Sequence, residues 1–216
     1  ATGQAVGLNK LQVPIGMDYK IVLADGTKVW LNAATQLEFP FNFVGPTREI
    51  KINGEAYIEV ANDKSKPFIV QLQHGSVQVL GTEFNINSYN PSNVKVSLVS
   101  GSILMKTLKQ EFLIAPGKEA ILNTVGNITQ QEFNSKYTLS WRIGKFYFHN
   151  AGLQEISEIL PRWYGIQVII DNKNYQSRRF TGMLDKKQPI ELFMEDIRGI
   201  SGIETYLDEN RVLHFK

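Results

Sequence analysis

The stretch Val77 to Tyr89, VQVLGTEFNINSY, holds the most distinctive chemistry in the chain. Gly81 precedes Thr82, so a hydroxyl stands beside a glycyl peptide bond. A hydroxyl oxygen becomes a nucleophile when a base activates it or strain exposes its target. Val77, Val79, Phe84 and Ile86 alternate with polar residues, so each side of the pair reads as a half-buried strand. A glycine inside a strand pattern marks a bulge or a close backbone approach. Two readings follow: a kinked strand in a β core, and a strained Gly-Thr bond with chemistry of its own.

Other reactive residue types form no constellation. His74, His149 and His214 are scattered without metal-ligand spacing and read as structural. No GxSxG, HExxH, GxGxxG or P-loop pattern occurs. Asp18, Asp25 and Glu55 are isolated carboxylates in or beside turns, and turn chemistry accounts for Asp25. Two distant carboxylates converging in a cleft is what a glycan-processing reading would need. A carbohydrate-binding or glycan-processing β-domain protein is therefore the alternative class. Cysteine is absent, which removes disulfides, thiol nucleophiles and thiolate metal sites. The expectation is a protein with no cofactor, no metal and no catalytic turnover.

Charge and hydropathy narrow the partners. The 216 residues carry 23 basic and 21 acidic side chains, net +2, and neither half holds a basic field. Nucleic acid is not an expected partner. No apolar run reaches the roughly 18 to 20 residues of a membrane span. Residues 1–12 read as a linker entering a domain, so the chain is expected to be a soluble piece of a longer protein.

The elements that position these residues fall into two regions. Over residues 13–125 the pattern has period two and is broken by turns. Asp25-Gly26 between alternating runs signals a type I′ hairpin, and Pro40 argues for an edge strand. Turns every ten to twenty residues without helical stretches indicate a mainly β domain, sandwich or β-solenoid-like. Residues 126–140 read as a linker or last strand. Residues 141–216 read as β-α-β, β-α-β-β, a small α+β domain. There Leu153, Ile156, Ile159, Leu160 and Trp163 have helical spacing, with Asn150 as N-cap and Tyr164-Gly165 as the end. Pro161 should kink that helix or break its last turn, because its ring clashes with the carbonyl of Ser157. Pro189 opens a second helix bearing Ile190, Phe193, Met194 and Ile197. Arg178-Arg179 and Lys186-Lys187 bracket a strand around Phe180. The plain reading is a solvated, charge-guarded edge. The functional one is a charged rim around an edge that accepts a partner strand.

From about Val13 onward the chain resembles the periplasmic part of FecR-type anti-sigma regulators of the Bacteroidetes type. The resemblance is carried by Leu23 to Asn32 (LADGTKVWLN), Ile52 to Ala61 (INGEAYIEVA), Pro67 to Val70 and Val77 to Tyr89. Val96 to Ile103 and Leu113 to Ala120 (LIAPGKEA) add to it. In the second region it rests on Trp141 to Phe148 (WRIGKFYF), Leu153 with Ile156, Arg162-Trp163-Tyr164 and Phe180-Thr181-Gly182. It implies a FecR domain followed by an STN-like signalling domain. It also implies a cytoplasmic anti-sigma segment and a single membrane helix ahead of this sequence. The region would then be the periplasmic domain of an inner-membrane single-pass protein. Its partners would be the N-terminal signalling domain of a TonB-dependent receptor and, through the missing cytoplasmic segment, an ECF sigma factor. The expected contact is strand addition to the second domain, at Arg179, Phe180, Thr181 and Met183 or at the final hairpin with Tyr206 and Phe215. Some regulators of this type cut themselves at a Gly-Thr bond by attack of the threonine hydroxyl on the preceding carbonyl. Gly81 and Thr82 match that pair, but no base stands beside them in sequence, and the buried bend is the preferred reading.

Overall fold

Alternating apolar residues can bury one face only as strands in a sheet, and the period-two half of the chain does so. The computed structural model describes residues 7–216 and divides into two units, the first running to Leu139 and the second covering Ser140–Lys216 with Ile15–Met17. In chain order the strands of the first unit are β1 (Leu8–Gln12), β2 (Tyr19–Val22), β3 (Lys28–Leu31), β4 (Gln36–Pro40), β5 (Arg48–Asn53), β6 (Glu55–Glu59) and β7 (Phe68–Leu72). They continue with β8 (Gly75–Val79), β9 (Glu83–Asn87), β10 (Val94–Ser100), β11 (Ile103–Lys106), β12 (Glu111–Ile114), β13 (Lys118–Leu122) and β14 (Ile128–Glu132).

Two sheets result, ordered β1-β4-β5-β7-β8-β11-β12 and β2-β3-β6-β9-β10-β13-β14. Their inward residues form one core, with Leu37, Ile52, Phe68, Val77 and Met105 from the first sheet and Leu31, Ile58, Phe84, Val96 and Leu122 from the second. The fold is thus a β-sandwich. Strand number rises steadily along both sheets, so the chain winds from one end to the other, which gives the sandwich a solenoid's advance.

Several sequence expectations change here. Leu8–Gln12 is not linker: it pairs with β4 from Leu8↔Pro40 to Gln12↔Gln36. Residues 1–6 of that expectation lie outside the described residues. Strand β4 is consequently not an edge. Pro40 is tolerated because it ends the strand, beyond Gln36 to Glu38, which pair with β5. Asp25-Gly26 is not a two-residue I′ turn, since Gly26 has φ 86° but Asp25 has no positive φ. The loop instead closes through Leu23 N–H to Thr27 O (2.8 Å) and Gly26 N–H to Leu23 O (2.9 Å). Residues 128–132 are the last strand, followed by a one-turn helix α1 (Ser135–Thr138) capped by the Asn134 side chain.

The second unit runs β15 (Lys145–Gly152), α2 (Leu153–Ser157), α3 (Leu160–Tyr164), β16 (Gln167–Ile170), β17 (Arg179–Asp185), α4 (Ile190–Ser201), β18 (Thr205–Leu207) and β19 (Val212–Phe215). Strands β15 and β17 make an antiparallel pair, and β16-β19-β18 a three-stranded sheet in which β16 and β19 are parallel. Pro161 breaks its helix outright: α2 ends at Ser157, and Pro161 sits in the first turn of α3. There its missing N–H costs nothing. Gly165, at φ 67°, ends α3 by donating to Pro161 O at 3.0 Å. Asn150 is not the N-cap. It lies inside β15 at φ 52°, in the bulge between Phe148 and Ala151, and Gly152 precedes the helix. Leu153, Ile156, Leu160, Trp163, Phe193 and Ile197 are buried, as their helical spacing predicted.

Candidate functional site

The Gly81-Thr82 pair lies at a corner, not in one kinked strand. Strand β8 belongs to the first sheet and β9 to the second, so Leu80 to Thr82 carries the chain across the sandwich. The corner is pinned by Val60 N–H to Thr82 O (3.0 Å) and Asp63 N–H to Leu80 O (2.8 Å). A Cβ on Gly81 would sit 2.9 Å from Asn62 Cα, which only glycine avoids. Gly101 approaches from the next corner with φ 91°, and a Cβ there would lie 2.8 Å from Thr82 Oγ1 and 3.0 Å from Gly81 O. Thr82 is buried, and its hydroxyl donates to Ser102 O at 3.0 Å. That carbonyl is an acceptor and not a base, so the geometry is that of a fastened corner.

Next to this corner Asp63 caps its own turn. Its Oδ1 accepts from Ser65 Oγ (2.6 Å) and Ser65 N (2.9 Å). The Ser65 hydroxyl, then the Ser65 N–H, hold the carboxyl below the usual carboxylate range.

Two buried polar clusters support the sandwich. Arg48 is 2 % exposed and donates through Nη1 to Asp25 Oδ2 (2.7 Å) and Ala61 O (2.8 Å), and through Nε to Lys66 O (2.9 Å). Its guanidinium stacks over the Phe68 ring at 5.3 Å. Asp25 also accepts from Thr27 N (3.0 Å) and Thr27 Oγ1 (2.7 Å). The sequence signal for Arg48 was its period: it shares the inward parity of Ile50 and Ile52. Glu55, expected as an isolated carboxylate, accepts amide hydrogens from Asn32 (2.8 Å), Asn85 (3.2 Å) and Asn87 (3.2 Å). Among the described residues no group of three or more His, Cys, Asp or Glu could hold a metal ion.

In the second unit the residues expected to meet a partner separate into two kinds. Among the described residues, strand β17 pairs only with β15. Lys186 N–H bonds Gly144 O at 2.8 Å and Leu153 N–H bonds Arg178 O at 2.9 Å. Alternate residues of an antiparallel ladder exchange both bonds, so these two fix the phase. Phe180, Gly182 and Leu184 turn their main-chain groups toward β15, while Arg179, Thr181 and Met183 turn theirs to the open edge. The same three residues have exposed side chains, Met183 at 41 %, whereas Phe180 is buried. Further along, Tyr164 closes the edge by donating its phenol to Asp185 O at 3.1 Å. Burial first, and the Asp185 charge second, push that phenol's pKa up.

The final hairpin differs. Phe215 is on β19, the middle strand, and is 0 % exposed, so it forms no edge and presents no surface. Tyr206 is on the edge strand β18 and 45 % exposed. The β18 edge is partly closed, because Arg198 Nη2 donates to Thr205 O at 2.8 Å. His214, expected as a lone structural residue, contacts Asp171 and stacks on Tyr206. Only the cross-strand register brings those three together.

No helix among the described residues is long and apolar enough to cross a membrane. Comparison with known proteins gives consistent matches over both units. A family model described as FecR protein matches residues 10–104, and one described as FecR, C-terminal, matches residues 145–214. Two crystal structures, each of a candidate anti-sigma factor from Parabacteroides distasonis, are similar. One has a TM-score of 0.86 at 27% identity, covering 96% of this chain and 99% of that one. The other has a TM-score of 0.86 at 28% identity, covering 97% and 99%. No curated protein matches.

Proposed function

The chain belongs to the FecR family, whose role is sigma-factor regulation, and from that premise we propose that it is the periplasmic sensor region of a membrane-anchored regulator. In this reading it relays a signal from an outer-membrane TonB-dependent receptor to an ECF sigma factor by protein–protein contact. A cytoplasmic segment preceding this sequence holds the sigma factor. The observation that carries the reading is the open edge of β17. A two-stranded sheet is marginal alone, and this one leaves the main-chain groups of Arg179, Thr181 and Met183 without a neighbouring strand. An incoming strand of the receptor's N-terminal signalling domain would supply their partners, and main-chain bonds tolerate sequence variation.

Proline scanning of β17 tests the mode. Met183→Pro removes an N–H that points to the open edge, so it should leave the fold intact and abolish binding of the receptor's signalling domain in calorimetry. Gly182→Pro removes an N–H bonded to β15 and should unfold the pair. Undiminished binding by Met183→Pro would exclude strand addition at this edge. Absence of binding by the unmodified chain would exclude the receptor relay itself.

A further inference from the structure

The open edge of β17 is complementary to itself. Arg179, Thr181 and Met183 turn their main-chain groups outward, and Asp185 shares their parity. Run antiparallel against a second copy about Gly182, the strand sets Arg179 opposite Asp185 and Thr181 opposite Met183. All four have N–H and C=O directed to the edge, and facing residues of that phase exchange both bonds in an antiparallel ladder. The Asp185 carbonyl already accepts from the Tyr164 phenol at 3.1 Å and keeps a second lone pair for the ladder. On the outer face, Arg179 of each copy meets Asp185 of the other. Arg179 commits Nη1 to Asn150 O (2.8 Å), and Asp185 commits Oδ1 to Lys187 N (3.0 Å). The rest of the guanidinium and Oδ2 remain for the cross-strand pair. Opposite charges directly across a ladder stabilise it, and like charges destabilise it. On the other face, Phe180 comes beside Leu184 of the second copy, and both are apolar and buried. Gly182 meets its own counterpart at the symmetry centre, where no side chain stands to collide. The Phe148 ring covers that position, 3.1 Å from where a Cβ would be.

The charges select this register. A slip of two residues one way sets Arg179 against Met183, and a slip the other way sets it against Lys187, a like charge. The next pair outward, Arg178 opposite Lys186, is like-charged, but Arg178 is drawn back to Ser201 O at 2.9 Å and lies over the Tyr175 ring. We propose that β17 pairs with β17 of a second copy of this chain, joining two β15-β17 ribbons into one four-stranded sheet. A two-stranded sheet is marginal alone, and a twofold pairing closes at two copies. The pairing also covers Met183, 41 % exposed in the single chain. The proposal rests on the edge named for the receptor and adds a regulation of it: the second copy holds the seat until a receptor strand displaces it. The pairing itself needs no receptor.

The test is sedimentation equilibrium of the full chain alone, from about 1 μM to about 1 mM, a span that covers weak and moderate dimers. The unmodified chain should pass from its single mass to twice that mass. Arg179→Glu and Asp185→Lys each place like charges at both crossings and should weaken association at least about tenfold. Mixed in equal amounts, the two variants should associate as tightly as the unmodified chain, because each crossing then joins opposite charges. Loss of fold cannot produce that rescue, and melting temperatures identify any such loss. Should Asp185→Lys melt early, Arg179→Glu, at an exposed side chain, decides alone. The pairing is overturned by an unmodified chain that keeps its single mass throughout, by undiminished association of Arg179→Glu, or by a mixture of folded variants no tighter than its components. The receptor reading fails separately, through absence of binding in calorimetry with the receptor's signalling domain.

Discussion

Thr82 gives its hydroxyl proton to the carbonyl of Ser102, 3.0 Å away, tying the corner between β8 and β9 to the corner between β10 and β11. A hydroxyl so engaged is a structural strut. Intact-mass spectrometry of freshly folded protein should therefore give one species. A fragment pair ending at Gly81 and beginning at Thr82 would show instead that the strut is a nucleophile. Thr82→Val should cost about 1–3 kcal/mol in denaturant unfolding, because it leaves the Ser102 carbonyl without its donor.

The two glycines at this corner should rank in a definite order. Gly81→Ala meets the Asn62 backbone at 2.9 Å, and Gly101→Ala meets Thr82 at 2.8 Å while also forcing a side chain to φ 91°. Overpacking costs about 1–3 kcal/mol, and positive φ adds to it. Urea midpoints should fall for both and further for Gly101→Ala, whereas Gly7→Ala, with open space around it, should change nothing measurable.

The Arg48–Asp25 pair should matter far more than its exposed counterparts. Removing one partner of a buried pair costs about 3–5 kcal/mol, and Arg48→Ala also leaves the Ala61 and Lys66 carbonyls without their donor. The Lys28–Glu59 pair, with a lysine side chain 57 % exposed, belongs to the surface class worth about 0–1 kcal/mol. Thermal unfolding of Arg48→Ala and Lys28→Ala should separate them clearly.

Asp63 gives a pH signature with a definite sign. Its folded pKa lies below the ordinary carboxylate value, so the unfolded state binds the proton more readily. Its contribution to stability is full above the ordinary value and is lost as pH falls through the lowered one. Carboxyl-carbon NMR should place the Asp63 titration below that of unperturbed aspartates, and Ser65→Ala should move it upward by removing the leading cause.

How much of this was legible beforehand depended on what each residue's signal encodes. Period two placed Ile50, Ile52, Phe84 and Ile86 in the core, because alternation is a local property of strands. Pro161 announced the helix break for the same reason: its clash is with a carbonyl four residues away. Thr82 could not be assigned to a corner, since a strand that crosses between sheets has the same alternation as one that bends. Strand β1 was hidden by its short length and polar residues, Leu8 and Leu11 being the apolar ones. Arg179, Thr181 and Met183 were legible as exposed edge candidates from the flanking charges. Phe215 was misplaced because a hairpin does not reveal which of its strands a third will join. The Tyr206–His214–Asp171 contacts required that third strand's register.

The steady advance of strand number along both sheets has a consequence for how the sandwich forms. Hairpins alternate with ladders between strands two or three elements apart, so no pairing has to close a loop across the whole sandwich before contacts reward it. A sheet of this kind can grow by accretion, each pass templated on the edge left by the last, much as stacked repeats propagate. Native-state hydrogen exchange should accordingly reveal a gradient, with the terminal strands β12 and β14 opening at lower cost than the central β9 and β10.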